Sequence, residues 1–277
     1  MARGSHRGFI WYGQEAISLL FRHRELIWQM AKREINDRYA GSIFGAAWAV
    51  FHPLMLLSVY LVIFSYVFQI KFGGTREIPL DYTAYIIVGF LPWMAIQEIL
   101  IKSCVAVNSS ANLVKQVVFP VEVLPVKGVF ATLISQLIGM IFLIVYILIK
   151  TQTLPWTILF LPLLLSLQIL MMTGLGFILS AIGCYFKDIK DVMQVLTVIG
   201  VYLIPVFYLP DWVPDLLKPL LYINPFSYTI WAYQDALFYG GFEHPWAWFI
   251  FACISIGMFY FGYRLFRKVK NYFGDVL

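Results

Sequence analysis

Glu98 and Lys102 are charged residues set inside a long apolar run, and charges so placed are functional candidates by default. Their i, i+4 spacing puts them on one helical face, where they can neutralise each other near one end of the run. This reads as a structural ion pair. No pair of carboxylates lies deep in an apolar run, which argues against a proton-coupled carrier. The histidines, His6, His23, His52 and His244, are scattered, with no second His or Cys at metal-ligand spacing, so no metal site is expected. Cys104, Cys184 and Cys253 sit in or at the ends of apolar runs and read as packing residues. There is no G-x-x-x-x-G-K-[ST] phosphate loop, so the chain is not expected to hydrolyse ATP itself. No catalytic residue is assigned.

The elements that hold these residues belong to a membrane. Of the 277 residues, 61% are hydrophobic and 13% charged; a soluble domain carries about 25% charged residues. Several apolar runs exceed the roughly 18 residues that mark a transmembrane helix. The expected fold is an all-α polytopic membrane protein forming one transmembrane domain over residues 1–277. The net charge of +5 comes from cations beside apolar spans, which fits a membrane surface and not nucleic acid.

Trp11–Arg38 is amphipathic, with Ile17, Leu20, Phe21, Ile27, Trp28, Ala31 and Ile35 on one face. It is expected to lie in the interface plane. Arg33, Asp37 and Arg38 are near its end. Six spans are then read: Ile43–Phe68, Tyr82–Val107, Gly128–Ile149, Trp156–Cys184, Val192–Tyr208 and Trp246–Phe266. No cleavable signal is expected, because the first span begins far from the amino terminus. Leu209–Pro245 is too apolar for a solvated loop and too broken for one span. Two short helices, Val213–Leu221 and Pro225–Phe238, dipping into the outer leaflet fit it; so do two helices lying flat on the outer surface.

Six spans put both termini on one side. All but four of the 20 Lys and Arg lie on that side, the exceptions being Lys71, Arg76, Lys150 and Lys218. The positive-inside rule makes that side cytoplasmic. Asn108–Lys127, between the second and third spans, is then cytoplasmic as well. Leu113, Val114, Val117 and Val121 share one helical face, while Lys115 and Gln116 lie largely opposite, with Phe119 toward the polar side. Pro120 biases Phe119 away from helical geometry, so a short helix is expected to end near Val118 or Phe119. Local pattern alone leaves a docking helix and an ordinary interfacial loop both open.

Ordered motifs carry a resemblance. Arg33-Glu-Ile-Asn-Asp-Arg-Tyr-Ala-Gly-Ser-Ile-Phe-Gly-Ala-Ala-Trp48 with Pro53 resembles the entry to the first span in permease subunits of ABC exporters for polysaccharides and polyol phosphates. Asn108, Leu113-Val114, Phe119-Pro120 and Leu124-Pro125 are similar to their cytoplasmic loop, Tyr185-Phe-Lys-Asp-Ile189 to the loop before the fifth span, and Asn224-Pro225 to their outer re-entrant region. The likeness covers nearly the whole chain. It implies the O-antigen, capsule and teichoic-acid exporter class. Two copies of this chain would form the pathway, and two separate ATP-binding subunits would supply ATP and Mg chemistry, with no cofactor held by this chain. The substrate would be a lipid-linked glycan, most simply O-antigen, moved across the inner membrane. Residues 108–119 would be the coupling helix, with Asn108, Lys115, Gln116, Phe119, Pro120 and Glu122 at the ATPase contact, and Trp11–Arg38 the interface helix. Phe44 and Glu122 depart from the residues expected of the class.

Aromatics would suit a glycan path, because their faces stack on pyranose rings without a fixed hydrogen-bond register. Trp48, Phe51, Tyr60 and Phe64 of the first span are the candidates, with Tyr60, Phe64 and Phe68 on a similar face. The competing role is ordinary: Trp and Tyr favour membrane interfaces, and Phe often faces lipid. A permease of the same architecture for a drug or lipid is the second reading. A membrane-bound glycosyl- or acyltransferase is a third, but the sequence offers no acid/base or metal constellation for it.

Overall fold

In the computed structural model of the chain, residues 9–38, 40–68, 80–115 and 119–276 are described; they form helices and turns, with no strand among them. The helices are α1 (Phe9–Arg22), α2 (Arg24–Arg38), α3 (Trp48–Val62), α4 (Tyr82–Ser103), α5 (Ala111–Val114), α6 (Val123–Thr151), α7 (Leu161–Tyr185), α8 (Ile189–Gly200), α9 (Lys218–Ile223), α10 (Pro225–Gln234), α11 (Pro245–Val269) and α12 (Phe273–Val276). Four helical runs among the described residues are long and apolar enough to cross a membrane: Tyr82–Ser103, Val123–Thr151, Trp156–Tyr185 and Pro245–Tyr272. α3 is shorter and continues as a π turn over Ile63–Phe68.

Local chemistry sets several boundaries. The Asp81 side chain accepts from Ala84 N at 3.1 Å and caps α4. The same carboxylate accepts from Tyr146 OH at 2.5 Å, so the cap of α4 is tied to α6. α6 ends at Gln152, whose φ of 58° is left-handed. At α10, Asn224 accepts from Phe226 N at 3.0 Å and Pro225 occupies the first helical turn. α10 then runs on as a π turn over Asp235–Tyr239.

Two expected elements take another shape. The amphipathic segment is two helices broken at His23, although His23 N still bonds Leu19 O and Ile27 N still bonds His23 O. The expected span to Tyr208 stops early: α8 has 12 residues, and one 3-10 turn carries it to Leu203. Ile204 is extended (φ −130°, ψ 155°), because the residue before a proline, here Pro205, is pushed out of helical geometry. Between α8 and α10, the first short α-helix is α9, shorter than the expected Val213–Leu221.

α4 is the centre of the bundle, buried along most of its length against α6, α7, α10 and α8. α7 and α11 pack along much of theirs. Their backbones meet at two glycines: a Cβ on Gly174 would lie 2.3 Å from Met258 O, and one on Gly262 would lie 2.2 Å from Gly174 O. Small residues at such a crossing allow the close backbone approach that drives helix association in lipid. A buried polar knot ties four elements. Gln136 and Gln168 exchange hydrogen bonds of 2.9 and 3.1 Å, Gln168 Nε2 donates to Pro92 O at 3.3 Å, and Tyr233 OH donates to Gln168 Oε1 at 2.6 Å. Large apolar side chains such as Ile141, Leu159, Phe249 and Phe261 are exposed on the outside, as a lipid-facing surface requires. Cys104 and Cys184 are buried, but Cys253 is exposed on α11, although its place in an apolar run reads as packing.

Candidate functional site

At one end of the bundle, charges from α2, α4 and α6 converge. Glu98 Oε1 accepts from Arg38 Nη2 at 2.5 Å and from Lys102 Nζ at 2.7 Å. Lys102 also reaches Glu34 at 3.0 Å, and Lys127 lies 3.8 Å from Glu34. The i, i+4 pair read from the sequence is therefore present and is the middle of a larger network. Its long-range members, Glu34, Arg38 and Lys127, had no local signal. Arg33 and Asp37 pair with each other at 3.4 Å on the exposed side of α2. Of the three interface-helix residues singled out, Arg38 thus holds the bundle, while Arg33 and Asp37 face outward.

The segment after α4 follows that network. Asn108 opens a 3-10 turn that leads into α5. Asn108 Nδ2 donates to Gly183 O at 2.8 Å, fixing the segment to the end of α7. A Cβ on Gly183 would lie 1.9 Å from Cys104 O, so only glycine permits this approach. Leu113, Val114, Phe119 and Val121 pack against a core of Val123, Phe177, Tyr263 and Phe266. Lys115 is exposed and Pro120 is half-buried. Gln116, Val117 and Val118 lie outside the described residues. Phe119 is half-buried rather than projecting freely from a helix tip. Glu122 is 2% exposed and ion-paired with Lys270 beyond α11. Its carboxylate is therefore paired inside this chain, whereas the resemblance implied a place for it at the ATPase contact. Glu15 of α1 and Arg267 of α11 form a second tie of this kind.

An aromatic wall lies between α3, α4 and the residues after α8. Tyr60 and Phe64 stack with centroids 6.0 Å apart and planes 3° from parallel. Phe90 contacts Tyr60 at 4.8 Å, and Phe207 contacts Phe64, Phe90 and Tyr202. Tyr82 contacts Phe64 and Trp212, and its hydroxyl donates to Phe207 O. Tyr60 and Phe64 are the two candidates that the fold brings together here. Trp48 and Phe51 are elsewhere, both against Phe44, and Phe51 is exposed. Phe68 side-chain placement lies outside what is described. Sequence reasoning missed Phe90, Tyr202, Phe207 and Trp212. The available signal was Pro205, which turns the chain back and carries the following aromatics onto α3 and α4.

On the far side, Asp235 is fully buried. Its carboxylate accepts from His244 N at 2.9 Å and Trp248 Nε1 at 3.0 Å, and contacts His244 Nδ1 at 2.9 Å. His244 stacks on Trp231 with centroids 5.6 Å apart. This locks the turn after α10 to the start of α11. Among the described residues, no group of three or more His, Cys, Asp or Glu could hold a metal ion.

The arrangement offers an aromatic surface suited to stacking. Comparison with known proteins identifies the family. The chain is 24% identical to an O-antigen export system permease protein, RfbA, of Klebsiella pneumoniae, over 91% of this chain and 95% of that protein. It is 26% identical to the RfbA of Myxococcus xanthus over 79% of this chain and 82% of the other. It is 23% identical to the polysialic acid transport protein KpsM of Escherichia coli over 70% and 76%. The profile described as ABC-2 type transporter matches residues 25–238, from the start of α2 through the π turn after α10, and the chain belongs to that family of membrane transporters.

Proposed function

We propose that the chain is the transmembrane subunit of an ATP-driven exporter of a lipid-linked polysaccharide, O-antigen in the first instance. Two copies form the pathway in the inner membrane, and two ATP-binding subunits dock on the cytoplasmic side, where both termini lie. The observation that carries the reading is the aromatic wall of Tyr60, Phe64, Phe90 and Phe207. Stacked rings suit a chain of pyranoses that slides past them, and the wall lies where α3 and the residues after α8 meet α4. The names of the relatives support the glycan. In this reading the ATP-binding subunit meets Asn108–Pro120 and the outward pair Arg33 and Asp37. Lys115 supplies exposed charge, and Phe119 transmits the push into the core it packs on. The Arg38–Glu98–Lys102–Glu34 network then carries movement of α2 into α4.

A deletion strain tests the substrate. Loss of surface glycan, restored by the wild-type gene, supports the reading, whereas intact glycan with altered drug or lipid efflux favours a permease for those molecules. Lys115→Glu and Phe119→Asp test the docking surface. Both are expected to weaken co-purification of the ATP-binding subunit, and Lys115→Glu does so without disturbing the core. Normal transport and normal assembly in both variants would rule that surface out.

A further inference from the structure

A groove of about 450 Å³ lies between the broken amino-terminal helix pair and α6, α7 and α11. Phe130, Ile169 and Leu170 form its inner wall, and Phe21 and Trp28 its outer rim. Phe21 is 65% and Trp28 49% exposed, so the rim is apolar surface left uncovered by this chain. Its volume suits one long acyl chain. The mouth carries two adjacent and opposite charges, Arg24 and Glu25. Arg24 Nη1 donates to Phe21 O at 3.3 Å and Glu25 Oε1 accepts from Gln29 Nε2 at 2.9 Å. No salt bridge engages either side chain among the described residues, which leaves guanidinium N–H groups and one carboxylate oxygen for an outside partner.

We propose that this groove binds a phospholipid with an ethanolamine headgroup, its acyl chain along Phe130 and Ile169, its phosphate on Arg24 and its ammonium on Glu25. An amphipathic helix pair lying in the interface plane puts its apolar face at acyl depth and its charges at headgroup level. A guanidinium matches a phosphate through paired N–H donors. A carboxylate beside it disfavours a purely anionic headgroup, and it accepts N–H hydrogen bonds from the primary ammonium of ethanolamine that the quaternary ammonium of choline cannot give. The occupant is a bilayer lipid and not the exported molecule, because the groove shares no element with the aromatic wall. α1 and α2 meet the bundle here mainly through Ala16, Leu20 and Ile27. A lipid wedged beneath the break at His23 adds contacts that the chain itself does not make. This inference rests on the membrane location alone and is independent of the glycan assignment.

The test is lipid retention by the purified chain, read by native mass spectrometry after reconstitution with phosphatidylethanolamine, phosphatidylcholine or phosphatidylglycerol in equal amounts. Phosphatidylethanolamine is expected to be retained preferentially. Arg24→Gln should weaken retention of all three. Glu25→Gln should abolish the preference over phosphatidylcholine, by up to about fivefold, the scale of a screened surface ion pair. Phe21 and Arg24 are exposed, so Phe21→Asp and Arg24→Gln spare the core, and Phe21→Asp should lower retention without loss of helicity. Ile169→Trp fills the groove and should give the same loss. Retention without headgroup preference, or unchanged by these variants, would overturn the proposal. So would a cysteine cross-link between position 21 of two copies showing that a second chain covers the groove. Because wild-type glycan export is not the readout, failure here leaves the export reading standing.

Discussion

Replacing Glu98 by Gln should loosen α2 from α4. The carboxylate accepts charge-assisted hydrogen bonds from Arg38 at 2.5 Å and Lys102 at 2.7 Å. Bonds to charged groups are worth about 1.5–3 kcal/mol when well shielded. Here the side chains of Arg38, Glu98 and Lys102 keep 31%, 26% and 29% of their exposure, so screening brings each bond to about 1 kcal/mol. Lys102 retains Glu34, so the loss falls mainly on the link to the last turn of α2. The expected destabilisation is about 1–2 kcal/mol, measured by thermal unfolding of the purified chain in nanodiscs. Arg38→Gln removes the same bond from the other side. A double-mutant cycle should therefore return a coupling of about 1 kcal/mol. In the assembled exporter, the same variants should lower the transport obtained per ATP hydrolysed. Additive single effects, or full transport coupling in Glu98→Gln, would refute the claim that this network joins the helix pair to the central helix.

Three further outcomes follow from the packing. Gly262→Val places side-chain atoms against Gly174 O, where even a Cβ would lie 2.2 Å away. The α7–α11 crossing should fail, at a cost of about 4 kcal/mol or more, read as loss of monodisperse protein. Asp235→Ala strands the His244 and Trp248 donors in a fully buried site, costing about 3–5 kcal/mol in thermal unfolding, with Asp235→Asn intermediate because one acceptor oxygen survives. Tyr60→Ala and Phe207→Ala remove opposite parts of the aromatic wall. Each should slow glycan export or shorten the exported chains on a gel, while Phe51→Ala, at an exposed site away from the wall, should do neither.

Much of this architecture was written locally. The long apolar runs announce the four long spans, the Asn224-Pro225 pair is a capping residue followed by a helix-starting proline, and the i, i+4 spacing of Glu98 and Lys102 forecasts their bond. The break at His23 left no trace in the hydrophobic periodicity, because the helical hydrogen bonds on either side of it persist. The early end of the expected fifth span was legible in Ile204-Pro205, but the apolar run continues through it and hides the stop. The ties that shape the end of the bundle where α2 meets α4 and α6 were not legible at all. Glu122 finds Lys270, Asn108 finds Gly183 and Arg38 finds Glu98 across long stretches of chain, and only tertiary packing decides such pairs. For the same reason Glu122 reads from sequence as a surface charge and is instead a buried one. Phe90 and Phe207 join Tyr60 and Phe64 through the turn at Pro205, a relation that spacing within one helix does not contain.

Reconstitution in proteoliposomes tests the central claim most directly. The chain alone should hydrolyse no ATP. Together with its ATP-binding subunit, and with a lipid-linked glycan in the outer-facing leaflet that corresponds to the cytoplasm, it should hydrolyse ATP and deliver glycan to the lumen, where an external glycosidase no longer reaches it. ATP-dependent protection of the glycan is the predicted result. Glycan that stays accessible while the assembled complex hydrolyses ATP would contradict the account.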